Sequence, residues 1–207
     1  PSPILKEASA RALGSLGENA KAAISTLAPL LQERDDQVRE AVAEAIGQIG
    51  HLDDKANDEL VEGLDSPDSV VRAQTAEALG AIGETAHETA PALVDALTDH
   101  NDMVRAKAVE ALGKIGEAIG EIAVPGLVRA LNDSDNVVSS LAAEALGEMG
   151  DSADSAIPSL IQSLQHINAD VRANAAESLG KLGVEATIAI KALENSCHDD
   201  DAEVQRQ

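Results

Sequence analysis

The sequence predicts an all-α fold, a solenoid of stacked antiparallel helix pairs, and three observations carry that expectation. Gly-x-x-Gly recurs at Gly14/Gly17, Gly47/Gly50, Gly80/Gly83, Gly113/Gly116, Gly147/Gly150 and Gly180/Gly183, in steps of 33, 33, 33, 34 and 33 residues. A second column, Leu5, Val38, Val71, Val104, Val138, Val171 and Val204, keeps the same register. The 207 residues include no Phe, Tyr or Trp. Without those large fillers the interior must be made of Ala, Leu, Ile and Val, which favours thin, closely spaced layers. A fixed period of this length marks a repeat array, and one helix pair cannot bury its apolar faces alone; stacking buries them. Residues 1–207 therefore read as a single array of six repeats and the start of a seventh, with no linker. Nothing alternates with period two, so strands find no support.

Each first helix opens three residues before the Leu/Val column, at Ser2, Asp35, Asp68, Asn101, Asp135, Asn168 and Asp201. All seven side chains carry an oxygen that can accept the first free amides of a helix. In repeat one, Pro3 follows the cap at the first helical position, where proline is tolerated. In repeat three, Val71, Thr75, Ala76, Leu79 and Ile82 form a helical stripe. The second glycine of each pair is placed to end the helix by a left-handed turn. The first, such as Gly80, falls inside the last turn, where it costs about 1 kcal/mol against Ala. Six glycines in that column predict a close helix crossing.

A short link leads to a second helix with the pattern Pro-x-Leu-Val-x-x-Leu, seen at Pro91–Leu97, Pro125–Leu131 and, with Ile161 for Val, Pro158–Leu164. The prolines are expected in first helical turns, where their missing amide has no internal partner. Repeats one, two and six carry Ser25, Asp58 and Lys191 in the proline column, and repeat four has an extra link residue near Ile119–Gly120.

Composition excludes several functions. Lys plus Arg is 15 and Asp plus Glu is 37, a formal charge of −22. Such a chain repels phosphate and offers no aromatic stacking platform, which argues against nucleic acid. Anionic membrane surfaces are disfavoured on the same ground. No apolar run approaches the roughly 18 residues of a membrane span. One cysteine makes no internal disulfide. No signal peptide is visible and the first residue is not Met, so a removed leader stays open; a cytoplasmic location is expected.

The recurring polar residues admit two readings each. Lys6, Arg39, Arg72, Arg105, Ser139, Arg172 and Gln205 form a column that either grips an acidic partner or ties repeats together. The second is favoured, because a guanidinium fork suits carboxylates and helix-end carbonyls of an adjacent repeat. Ser139 breaks the ladder, and a looser junction with faster amide exchange is expected there. Glu44, Glu77, Glu110, Glu144 and Glu177 recur in like surroundings, which suits a solvated helix face better than acid–base catalysis, where two carboxylates need different environments. His51, His87, His100, His166 and His198 lack helical metal-pair spacing. His198 with Asp199–Asp201 is the most metal-like run, but Asp201 is read as a cap. Cys197 shares a column with Leu97, Leu131 and Leu164 and is read as a small buried filler. No phosphate loop is present, since each Gly-x-x-Gly ends a helix rather than preceding one. No metal or cofactor is expected.

The consensus Asp/Asn-x-x-Val-Arg-x-x-Ala-x-Glu-Ala-Leu-Gly-x-Ile-Gly stands, with small changes, at 35–50, 68–83, 101–116 and 168–183. It resembles the short HEAT-like repeat of the phycobilisome-lyase type over essentially the whole chain. That resemblance implies a right-handed superhelix of the HEAT and armadillo kind, with first helices on the convex side and second helices on the concave side. It also implies protein binding on those surfaces; lyase-type members act on bilin attachment to phycobiliproteins. Fold alone fixes neither activity.

What differs between repeats is the exposed side of the second helices. One column, Leu30, Gly63, Ala96, Ala130, Ser163 and Ser196, is mostly small and is read as letting a partner approach closely. Its neighbour, Pro29, Glu62, Asp95, Arg129, Gln162 and Asn195, begins acidic and turns mixed, and Asp53, Asp54, Asp58 and Glu59 add charge in repeat two. A basic segment of a partner docking there, or a solvated surface that aids solubility, are the two readings. Candidate partner-binding residues are Glu59, Glu62, Asp95, Arg129 and Gln162. The function expected is a non-catalytic protein-interaction scaffold with a protein partner, basic under the first of these readings; the alternatives are a bilin lyase or lyase subunit, and an engineered repeat protein. Leu5 opens a standard first helix and Asp201 opens a seventh repeat, so the chain is expected to be part of a longer array.

Overall fold

The computed structural model describes residues 2–50, 54–183 and 187–197. Among them run twelve α-helices: α1 (Pro3–Ser15), α2 (Ile24–Leu27), α3 (Asp36–Ile49), α4 (Asp54–Leu64), α5 (Ser69–Ile82), α6 (Ala90–Ala96), α7 (Asp102–Ile115), α8 (Gly120–Ala130), α9 (Asn136–Glu148), α10 (Ile157–Ser163), α11 (Ala169–Lys181) and α12 (Thr187–Ser196). No strand occurs among the described residues. The fold is an all-α solenoid of helix pairs.

The expected caps form. Asp35 accepts the amides of Gln37 and Val38, Asp68 that of Val70, Asn101 those of Met103 and Val104, Asp135 those of Val137 and Val138, and Asn168 that of Val171. Ser2 does the same for Leu5, whereas Asp201 lies outside the described residues. At the other ends Gly17, Gly50, Gly83, Gly116, Gly150 and Gly183 all have positive φ. Gly50, at φ 63° and ψ 25°, is a left-handed stop that costs a side-chain-bearing residue but not glycine. The links are not irregular: Gly17–Ala23, Gly83–Thr89, Gly116–Ile119 and Gly150–Ala156 are 3-10 helix.

The chain forms two compact units, Pro1–Ile115 and Gly116–Gln207. In the first, α1, α3, α5 and α7 pack successively side by side, and α2, α4 and α6 form a second layer against them. In the second, α9 and α11 are neighbours, with α8 and α10 packed on them and α12 against α10 and α11. Leu60, Leu93, Leu127 and Leu160, from the second-helix pattern, are fully buried between the layers.

The glycine column explains the close layers. A Cβ on Gly14 would lie 2.9 Å from the Ala45 Cα, one on Gly80 2.8 Å from the Ala111 Cα, and one on Gly147 2.9 Å from the Ser178 Cα. Successive first helices touch backbone to backbone at those three crossings, as the column predicts. Gly47 differs, since a Cβ there would meet the Ala81 side chain while the Ala81 Cα stays 3.5 Å away.

Four expectations need correction. Pro91 and Pro158 sit in first helical turns, but Pro125 lies inside α8. The 3-10 link of repeat four is shortened to Gly116–Ile119, and the extra residue is absorbed by an earlier start of α8. In repeat one, Pro29 splits the second helix into α2 and the 3-10 turn Ala28–Gln32. Cys197 is exposed, unlike Leu97, Leu131 and Leu164.

Candidate functional site

The arginine column is structural. Arg39, Arg72, Arg105 and Arg172 each donate through NH1 to the carbonyl six residues earlier: Glu33 at 2.6 Å, Ser66 at 2.7 Å, Asp99 at 2.9 Å and His166 at 2.9 Å. These carbonyls lie in the turn just after the preceding second helix, so each guanidinium ties that turn to the first helix that follows. Ser139 keeps the bond in shorter form: its hydroxyl donates to the Asp133 carbonyl at 3.2 Å. Arg39 is buried and reaches Gln74 and Asp36 as well. Lys6 reaches Glu33 at 2.6 Å. Gln205 lies outside the described residues.

Two residues upstream of the caps stands a second column that sequence reading passed over. Ser66, Asp99, Asp133 and His166 accept the amides of Asp68, Asn101, Asp135 and Asn168. Its signal was present, a hydrogen-bond acceptor at constant offset, but Ser, Asp and His do not look alike. In its most developed form Asp99 takes both Nε and NH2 of Arg72, at 2.6 and 2.9 Å. The bond from Arg72 holds the Asp99 carboxyl below the usual carboxylate range against the opposing pull of burial, and Asp99 raises Arg72 in return.

Most of the glutamate column is likewise engaged. Arg11 reaches Glu44 at 3.2 Å, Lys107 bridges Glu77 and Glu110 at 3.1 Å each, and Lys181 meets Glu177 at 2.8 Å. Burial pulls the Lys107 ammonium down, but the bonds from Glu110 and Glu77 outweigh it and leave it raised. Lys181 is raised by its bond to Glu177. Unit two adds lateral bonds from Asn174 to Ser140 and from Ser178 to the Ala143 carbonyl.

The candidate partner-binding residues stand on second helices. In unit one, Glu62 on α4 and Asp95 on α6 are exposed, and the two helices are neighbours. Asp58, four residues before Glu62 on α4, is exposed too. Among the described residues no cation pairs with Glu62 or Asp95. In unit two, Arg129 on α8 and Gln162 on α10 are exposed. Glu59 lies in α4, but its side chain is outside the described residues, as are Asp53 and the side chain of Asp54.

The small column does not line an open surface. Gly63, Ala130, Ser163 and Ser196 are buried, and Leu30 and Ala96 half-buried. Ser163 and Ser196 bond back to their own helices at Ser159 and Ala192. A Cβ on Gly63 would lie 2.6 Å from Thr75 Oγ1 on α5. At Gly63 the adjacent first helix leaves no room for a side chain, and the column is buried or half-buried throughout rather than open to a partner.

His87 and His100 are exposed, and among the described residues no three His, Cys, Asp or Glu side chains gather as a metal site. His51 and the run His198–Asp201 lie outside the described residues. No helix among the described residues is long and apolar enough to cross a membrane.

Stacked helix pairs tied by a guanidinium ladder define a helical repeat protein. The HEAT repeats profile matches residues 1–80, 57–147 and 124–207, and the chain belongs to the HEAT repeat family. Solved structures agree. An engineered protein, 25% identical, superposes with a TM-score of 0.64 over 89% of this chain and 92% of its own. A designed armadillo repeat protein in complex with the peptide (KR)4, 21% identical, gives 0.59 over 85% and 91%. The HEAT-like repeats protein of the archaeon Thermococcus onnurineus NA1, 16% identical, gives 0.62 over 100% and 95%. No curated protein sequence matches the chain.

Proposed function

We propose that the chain is a non-catalytic scaffold whose second helices bind a basic, extended segment of a protein partner, with Glu62 and Asp95 as the first contacts. One observation carries this reading. Several carboxylates on the first helices and at the helix ends are held in ion pairs within the stack, as at Glu33, Glu44, Glu77, Asp99, Glu110 and Glu177. Glu62 and Asp95 are exposed on neighbouring helices, and among the described residues no cation pairs with them. A surface with unspent negative charge attracts a cationic segment and orients it. A designed armadillo protein of similar fold is in complex with a Lys-Arg peptide, which supports the chemistry. On unit two, taken by itself, Arg129 and Gln162 are the exposed second-helix residues proposed as partner contacts.

The test is titration of a fluorescent Lys-Arg octapeptide, with Glu62→Gln plus Asp95→Asn as the variant and Glu144→Gln as the control. Exposed ion pairs are individually weak, so the double variant is expected to weaken binding about three- to tenfold. Raising salt from about 0.05 to 0.5 M is expected to weaken it further. No binding, or binding indifferent to both salt and the double variant, overturns the reading.

A further inference from the structure

Two breaks in otherwise regular columns fall on one junction of unit two. Along the acceptor column, Ser66, Asp99 and Asp133 offer oxygens, which remain acceptors throughout the neutral pH range. The half-buried His166 offers a ring nitrogen instead, and its Nδ1 takes the Asn168 amide at 3.1 Å. An amide only donates, so Nδ1 carries no proton in this bond and the neutral ring holds its proton on Nε2.

The second break is Ser139. Where the ladder and the acceptor column meet 27 residues apart, Lys6 reaches Glu33 and Arg72 reaches Asp99. The ladder residue at the same distance before His166 is Ser139 on α9. It is uncharged and bonds to the Asp133 and Asp135 carbonyls. A proton on the His166 ring therefore meets no fixed cation from that column. The charged residues at this end of the elements that meet here are Asp133 and Asp135 before α9, Asp170 and Arg172 on α11, and Glu194 on α12, with Lys191 about a turn earlier. Arg172 bonds the carbonyls of His166 and Ile167 at 2.9 and 3.1 Å, and so ties the same turn without using the ring.

We infer that His166 makes the α10–α11 turn a proton-sensitive joint: the neutral ring holds the start of α11, and a proton on Nδ1 releases it. Histidine changes charge between about pH 5 and 8, a range in which serine and ordinary aspartate side chains do not. The bond is present above the ring's titration and lost below it. The bonds of Arg172 and the Asn168 cap on Val171 remain, so the turn loosens while α11 stays folded. The turn before α9, where Asp133 accepts the Asp135 amide, has no such dependence and serves as an internal control. The inference concerns unit two alone and does not rest on the proposed function.

The experiment is NMR of the whole isotope-labelled chain between about pH 8 and pH 5. At the upper end, long-range nitrogen–proton correlations are expected to show the His166 ring protonated on Nε2. As the ring titrates, the Asn168 amide should shift with the same midpoint. Protection of the Asn168 and Val171 amides, corrected for the intrinsic exchange rate, is expected to fall about two- to tenfold, the worth of one neutral hydrogen bond. Protection of the Asp135 amide should hold. His166→Asp, which matches the column at Asp99 and Asp133, is expected to remove the pH dependence at Asn168. His166→Ala should leave Asn168 weakly protected at both ends of the range. Far-UV circular dichroism checks both variants, and the titration of the parent decides the matter even if one of them unfolds. A ring protonated on Nδ1 at pH 8, an Asn168 amide indifferent to the ring's titration, or a pH dependence that survives in His166→Asp would each overturn the inference.

Discussion

Arg72 and Asp99 form a two-bond ion pair across 27 residues of sequence, with Nε and NH2 of the guanidinium on the two carboxylate oxygens at 2.6 and 2.9 Å. Both side chains are largely buried. The same Asp99 accepts the Asn101 amide, and its carbonyl accepts from Arg105. One turn thus joins α5, α6 and α7. Asp99→Ala leaves Arg72 without its charge partner and the start of α7 without a bond, and is expected to lower stability by about 2–4 kcal/mol.

Acid titration reads the same pair. Because the folded Asp99 carboxyl is held low, first by the bond from Arg72, it favours the folded state in full above the unfolded carboxylate pKa of about 3.9. That contribution is lost as pH falls through the lower folded value. Stability measured in urea between about pH 6 and pH 2 should fall in the parent and fall less steeply in Asp99→Asn. Parallel curves would show that the pair does not contribute.

Thr75 is fully buried on α5, and its hydroxyl has no partner among the described residues. It occupies the space left by the missing side chain of Gly63. An unsatisfied buried hydroxyl carries a desolvation penalty, so Thr75→Val is expected to raise stability by about 1 kcal/mol at nearly constant shape. Thr75→Ser keeps the penalty and loses a methyl, and should lower it. If Thr75→Val destabilises, the hydroxyl is satisfied by a buried water and the account of this interface is wrong.

The repeat, the caps, the glycine stops and the close helix crossing were legible because each depends on local chemistry repeated at a constant step. Gly83 and Asp68 need only their neighbours in sequence to be understood. The burial of Gly63 and Ser163 was not legible, because which side of a second helix is covered depends on the first helix beside it. Pro125 was misplaced for a related reason, since one extra link residue can lengthen a loop or a helix and spacing does not choose. For the candidate surface, the exposure of Glu62 and Asp95 followed from their column, but their freedom from ion pairs did not. That depends on where the few lysines and arginines are spent, a question settled only by contacts such as Lys107 with Glu77 and Glu110.

Cys197 makes a simple chemical prediction. It is exposed in the folded chain, so a thiol reagent should modify it without unfolding, at a rate close to that in denaturant. Full modification should leave far-UV circular dichroism unchanged. Protection that disappears only on unfolding would return it to the role of a buried filler.

The two glycines Gly80 and Gly180 share a column and differ in what faces them, which separates helix propensity from packing. Replacing either by Ala gains about 1 kcal/mol of propensity. At Gly80 the new Cβ meets the Ala111 Cα at 2.8 Å and its Cβ at 3.1 Å, and backbone cannot move aside as a flexible side chain does. Overpacking of this kind costs about 1–3 kcal/mol, so Gly80→Ala is expected to be neutral to destabilising. At Gly180 nothing among the described residues lies within 4 Å of the new atom, and in dilute solution Gly180→Ala is expected to stabilise by the propensity gain alone. Urea unfolding of the two variants therefore isolates the crossing. A stabilised Gly80→Ala would mean that the first helices are free to separate, and that the glycine column is not what sets the spacing of the stack.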